Sequence, residues 1–251
     1  LADSDELEKF LSSKRSSRRT SNLNPCSPVN SSLSLSSSLS SSGACLSLKG
    51  QSLANGFPES CPKTLDSYIS LDLTATNISS GLPVLPYNNL SICEELNLSH
   101  NSLSVIPKFV YLLPCLRLLQ LSSNCLEQIP SRLIQSETLE ELYCDSNQLE
   151  VFPSSCSTTL TKKTLWSIRV LSLSNNRLTE ISEAVCAIPN LEELNLENNL
   201  VKEIPTGLLS RASNLNILRL SHNEITSLPK TFGGLSNLEV FTIANNNLTE
   251  L

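Results

Sequence analysis

The sequence predicts a solenoid of the α/β class. It should be a right-handed horseshoe with short parallel strands on its concave face, and loops, 3-10 turns and short helical turns on its convex face. Three observations predict it. One cassette of apolar and Asn positions recurs along the chain at near-constant spacing. Leu and Ser are both over-used, each at roughly a fifth of the 251 residues. In most copies the cassette is followed by an apolar–Pro pair, which interrupts regular structure at the same place each time.

The clearest copies begin at Cys93, Leu116, Leu139, Ile168, Leu191, Leu215 and Leu238. Each reads apolar-x-x-apolar-x-apolar-x-x-Asn-x-apolar, with Asn101, Asn124, Asn147, Asn176, Asn199, Asn223 and Asn246 at the polar position. The spacing is about 23 residues, widening to 29 between Asn147 and Asn176. Weaker copies precede these: Leu71-x-Leu73 with Thr76 in the Asn place, and Leu46-x-Leu48 with Gln51. Residues 44–251 thus hold about eight or nine repeats, the first degenerate. The chain opens on Leu1 and stops inside a repeat at Leu251, which reads as a piece of a longer protein.

Each element follows from the cassette. Apolar-x-apolar alternation puts two side chains on one face of a short strand and the intervening ones on the other. One such strand cannot hide its apolar face, so the copies must stack into a common core. Each buried Leu contributes roughly 1.5–3 kcal/mol. The Asn after the strand offers both a donor and an acceptor where the backbone turns. A ladder of such amides, bonded to main-chain groups of its own and the neighbouring repeat, is the expected structural role of the seven. The pairs Ile106-Pro107, Ile129-Pro130, Phe152-Pro153, Ile204-Pro205 and Leu228-Pro229 then start an irregular back segment, while Ile181-Ser182 lacks the Pro.

Residues 1–43 differ. Ser31–Ser42 is nearly all Ser, a composition that cannot bury enough apolar surface to offset chain entropy, so a disordered tail is expected, with a short helix near 5–11. It carries Lys14-Arg15-Ser16-Ser17-Arg18-Arg19-Thr20-Ser21. Ser17 and Ser21 each follow two basic residues and a spacer, and Ser27 precedes a Pro, so the three are candidate phosphorylation sites. Phosphate there would add about −1.5 to −2 charges per site to a basic patch.

Composition excludes several classes. A net charge of −6 is the wrong sign for phosphate-backbone binding, so no nucleic-acid partner is expected. No apolar run reaches the roughly 18 residues of a membrane span. The nine Cys form no C-x-x-C pair, and several stand at apolar repeat positions, which suits reduced structural thiols in the cytoplasm. The triplets Asn89-Leu90-Ser91, Asn97-Leu98-Ser99 and Asn247-Leu248-Thr249 are by-products of the repeat. No Gly-rich phosphate loop, H-E-x-x-H or G-x-S-x-G is present. His100 and His222 occupy equivalent positions five repeats apart, too far to share a site. No catalysis, metal or cofactor is expected.

The run Leu-x-x-Leu-x-Leu-x-x-Asn-x-Leu-x-x-Ile/Leu-Pro at 23 residues resembles the intracellular class of leucine-rich repeats over roughly residues 65–251. It is similar to Ras-pathway scaffolds, plant Ras-group repeat proteins, and the repeat regions of fungal adenylate cyclases, Roco proteins and PH-domain leucine-rich-repeat phosphatases. The resemblance implies a protein-recognition module, often beside a signalling catalytic domain. A partner such as a small GTPase, a kinase or a phosphatase subunit is the corresponding expectation. The alternative is a targeting arm of a larger signalling enzyme, which a catalytic motif elsewhere in the full-length protein would reveal.

The strand x positions line the concave strip. Expected partner contacts are Glu95, Asn97, Gln120, Glu141, Tyr143, Asp145, Glu193, Asn195, Glu197 and Arg219. Two acidic clusters, Glu141/Asp145 and Glu193/Glu197, stand out, with Glu140 and Glu192 beside them. Tyr and Arg are types enriched in binding hot spots. A basic or mixed protein surface would suit this strip; an ordinary solvated sheet face is the competing interpretation. The residues 154–165, with Trp166 just after, lengthen one repeat and read as a surface insertion.

Overall fold

Nine short strands hydrogen-bond in chain order into one parallel sheet. The computed structural model describes residues 44–53, 67–78, 90–134, 136–153, 167–229 and 235–249. The strands are β1 (Ala44–Ser47), β2 (Tyr68–Asp72), β3 (Glu95–Asn97), β4 (Leu118–Gln120), β5 (Glu141–Tyr143), β6 (Val170–Ser172), β7 (Glu193–Asn195), β8 (Ile217–Arg219) and β9 (Val240–Thr242). The tail 1–43, with Ser17, Ser21 and Ser27, lies outside the described residues, as do the insertion 154–165 and Trp166.

The register shows why such short strands hold. From β2 to β9 the middle residues face one another in a single column: Leu71, Leu96, Leu119, Leu142, Leu171, Leu194, Leu218 and Phe241. A second column, Leu73, Leu98, Leu121, Cys144, Leu173, Leu196 and Leu220, is equally buried, and both belong to one continuous apolar core. Slipping one strand by a residue would turn its Leu out of the core, so burial itself fixes the register. The longer spacing between Asn147 and Asn176 leaves this untouched: Glu141 pairs Val170 and Leu142 pairs Leu171 in step. Only β1, in the most degenerate repeat, carries an irregularity, between Ala44 and Cys45.

The convex side holds brief helical pieces: a 3-10 turn at Lys108–Leu112, then α1 (Ser131–Ile134), α2 (Glu183–Cys186) and α3 (Thr206–Arg211). Prolines start most of them. The carbonyls of Pro107, Pro130 and Pro205 accept from the N–H groups of Val110, Leu133 and Leu208. Where the Pro is missing, Ser182 takes its place: its carbonyl accepts from Val185 N–H, and its hydroxyl donates to Pro153 O at 3.4 Å. At Gly207 a Cβ would sit 3.3 Å from a Glu183 carboxylate oxygen and 3.6 Å from Cys186 Cβ, so the missing side chain lets α2 and α3 lie close.

Candidate partner-binding face

The turn at the strand exit positions the strip. Each ladder Asn is buried or half-buried, and its amide makes the same set of bonds. Asn124 Nδ2 donates to Leu98 O at 3.0 Å in the preceding repeat and to Leu121 O at 2.9 Å in its own, while its Oδ1 accepts from Leu103 N–H at 3.1 Å. Asn101, Asn147, Asn176, Asn199, Asn223 and Asn246 repeat this pattern. Thr76 shows what a shorter side chain loses. Its hydroxyl donates to Leu73 O at 2.8 Å, but it has no carbonyl to offer backward, and Leu53 N–H bonds the Thr76 backbone oxygen instead.

Immediately before the ladder position the backbone turns left-handed. His100, Ser123, Ser146, Asn175, Asn198, His222 and Asn245 all have φ between 54° and 58°. The N–H groups of the first six donate along the solenoid to the next repeat, as from His100 to Ser122 O and from His222 to Ala244 O for the two His. Asn and His tolerate this region better than most residues, which accounts for their recurrence there. The clue in the sequence was the polar residue before every ladder Asn; cassette matching alone passes over it. His222 also lies 3.1 Å from the Asn245 amide nitrogen, so both His belong to turns.

On the strip itself the expected contacts divide. Asn97 and Asn195 fold back on their own turns, accepting from Ser99 N–H at 2.9 Å and Glu197 N–H at 3.1 Å. Asp145 joins three repeats: it accepts from Ser172 Oγ at 2.6 Å, from Ser174 N–H and Oγ at 2.8 Å, and from Ser122 Oγ at 3.4 Å. These three side chains shape the face through their bonds to neighbouring backbone and hydroxyl groups. Glu95 is exposed, Gln120 half-buried.

The centre of the strip is a linked cluster. Tyr143 Oη donates to Glu141 Oε2 at 2.9 Å. Burial first, then the carboxylates of Glu141, Glu193 and Asp145, push its phenol well above the ordinary range, so it remains a donor. Glu193 is ion-paired with Arg219, and Glu197 accepts from Thr242 Oγ1 at 3.0 Å two strands away. Half-buried Leu118, Val170, Ile217 and Val240 alternate with the acids along the edge of this strip.

Two expected neighbours lie elsewhere. Glu140 and Glu192 do not enlarge the acidic clusters. They stand one residue before the strands on a lateral ridge, where Arg117 grips Glu140 through two bonds of 3.1 and 3.0 Å and Arg169 grips Glu192 through bonds of 2.9 and 3.0 Å. Arg117 also lies 3.5 Å from Glu94. The physical reason is the one-residue step: alternation sends adjacent positions to different surfaces. Among the described residues, no group of three or more His, Cys, Asp or Glu side chains converges to hold a metal ion, and no helix is long and apolar enough to cross a membrane.

Comparison with known proteins agrees with this geometry. Residues 93–113, 166–210 and 189–248 match leucine-rich-repeat families, so these are leucine-rich repeats and the fold is a leucine-rich-repeat solenoid. A leucine-rich-repeat protein of Leptospira interrogans is 27% identical, with a TM-score of 0.53, over 74% of this chain and 57% of its own. A chain of the Drosophila Toll–Spätzle complex is 26% identical, with a TM-score of 0.61, over 73% of this chain and 24% of its own. A plant ice-binding protein is 28% identical, with a TM-score of 0.57, over 74% of this chain and 59% of its own. The chain therefore spans a little over half the length of the first and third of these, and about a quarter of the second. No match to this chain was found among the curated proteins.

Proposed function

We propose that this leucine-rich-repeat solenoid is a non-enzymatic protein-binding module that captures a signalling protein on its concave face in the cytoplasm. The observation that carries this reading is the cluster of Tyr143, Glu141, Glu193 and Arg219 at mid-strip, half-buried on a sheet face over which no described element packs. Parallel sheets are normally covered on both faces, so an open one is suited to a partner. Tyr and Arg at the centre of such a patch are the types that dominate binding energy.

The fold alone does not choose the ligand. One similar chain is part of the Toll–Spätzle complex, whereas another is an ice-binding protein. The side chains choose here. Six acids and one cation, Arg219, occupy the strand x positions of β2–β9 and those just after them, and Arg219 is already paired with Glu193. That balance favours a protein surface bearing cations over a nucleic acid. Cytoplasmic placement rests on Cys93 and Cys144, free thiols that serve as buried apolar filler.

The test is affinity capture with the whole chain and with the triple variant Glu141→Ala/Tyr143→Ala/Glu193→Ala. The expected outcome is a set of captured proteins that falls at least tenfold in the variant. Identical capture by both chains would remove the strip from any binding role.

A further inference from the structure

Charge is distributed unevenly along the chain. Residues 59–251 carry twelve Lys and Arg against twenty Asp and Glu. Residues 9–58 carry six Lys and Arg and no acid, after four acids, Asp3, Asp5, Glu6 and Glu8, in residues 1–8. Four of those cations, Lys14, Arg15, Arg18 and Arg19, fall within six residues and directly follow Phe10 and Leu11 at a short distance. The open sheet face has the complementary character. Acids such as Glu141 and Glu193 alternate there with half-buried Val170 and Ile217.

We propose that the segment 10–19 of this chain docks on the solenoid's own concave face, and that phosphate on Ser17 or Ser21 releases it. The proposal rests on that face being a binding surface and names its resident occupant. Length permits it. Residues 10–19 fully extended span about 30 Å, against about 38 Å for eight strand steps of roughly 4.8 Å. The 24 residues between Arg19 and Ala44 include the Ser-rich tract. A flexible chain of that length has a root-mean-square span of about 27 Å. The cluster on β5–β7 lies four to six strands from β1, about 19–29 Å along the sheet. A tether whose mean span matches the distance to its site gives an effective concentration in the millimolar range, so a weak charge-complementary contact suffices to fill the face. Phosphate adds about −1.5 to −2 charges, on Ser17 between the cations or on Ser21 two residues after them, and on both it cancels most of their charge.

A fluorescein-labelled peptide of residues 8–23 serves as the probe, with fluorescence anisotropy on the whole chain. The variant Lys14→Glu/Arg15→Glu/Arg18→Glu/Arg19→Glu changes no residue of the repeats in 44–251. It should bind the probe at least tenfold more tightly than the native chain does, because its face is empty. The Ser17- and Ser21-phosphorylated probe should bind that variant at least tenfold more weakly. Zero-length coupling of Lys14 to carboxylates in the native monomer should yield cross-links to Glu141, Glu193 or Glu197. Equal probe binding by native and variant chains overturns the proposal, as do Lys14 cross-links confined to the lateral acids Glu140 and Glu192 or formed only between two copies. Partner capture that needs the strip while Lys14 never couples to it sinks this inference and spares the binding function. If neither depends on the strip, both fall.

Discussion

Asn147 joins two repeats with one amide. Its Nδ2 donates to Leu121 O and Cys144 O at 3.0 Å and to Asp145 O at 3.1 Å, and its Oδ1 accepts from Leu126 N–H at 3.0 Å. Replacing it with Ala leaves the Leu126 N–H without its acceptor, a loss of about 1–3 kcal/mol, while Leu121 O and Cys144 O keep the amides of Asn124 and Asn176 and Asp145 O keeps the Ser123 N–H. Asn147→Ala should therefore lower stability by about 1–3 kcal/mol in urea unfolding. Asn246, half-buried in the last described repeat, makes the same bonds nearer water, and Asn246→Ala should cost less than half as much. Equal losses at the two sites would show that burial does not set the worth of the ladder. Cys93 adds a pH dependence. Burial pushes its thiol from 9.0 up to about 11, so the native state favours the neutral form. Its contribution is intact below the unfolded value near 9 and is lost as pH rises through 11, on the order of 2–3 kcal/mol in all. Urea midpoints between pH 8 and 11 should fall less steeply in Cys93→Val than in the native chain.

At the scale of the element, the strand-exit turn is the part most exposed to a wrong side chain. A β-branched residue in a left-handed conformation adds strain of about 1–2 kcal/mol. His100, at φ 56°, points to solvent and lacks burial to lose, so His100→Val isolates that strain. It should destabilise by about 1–2 kcal/mol, whereas Ser123→Gly, at φ 57°, should be neutral or slightly stabilising. Thermal unfolding of the two variants checks this, and a tolerated Val would mean the turn relaxes. The lateral Arg117–Glu140 and Arg169–Glu192 pairs are exposed, and such pairs contribute at most about 1 kcal/mol each. Their effect is to neutralise the flank and leave net negative charge on the inner strip.

For the whole molecule, stability is a sum of rungs and of the interfaces between them. Leu142 is fully buried between the rungs of β4 and β6, and Leu142→Ala should cost about 2–5 kcal/mol. Phe241 on β9 has a described neighbour on one side only. Hydrogen exchange should therefore show the amides of β4–β7 opening together and slowest, with β9 opening earlier. In Leu142→Ala the protection should fall on both sides of β5. Uniform exchange along the solenoid would contradict a chain of nearest-neighbour interfaces.

The sequence by itself determined the strands, their order, the two buried columns and the ladder, because each depends on a short periodic pattern: alternation within a strand, and one repeat length between strands. Thr76 and Gln51 already marked the weak first repeats. Only the tertiary structure decided what the strip side chains do. Glu140 and Glu141 are adjacent in the chain, yet one is gripped by Arg117 on a flank and the other takes the Tyr143 hydroxyl on the inner face. Asp145 is tied to residues 27 and 29 positions away, and Glu193 to an Arg 26 positions away. Those partners come from neighbouring rungs, and which rung's side chain reaches which is set by lateral stacking that no local pattern encodes.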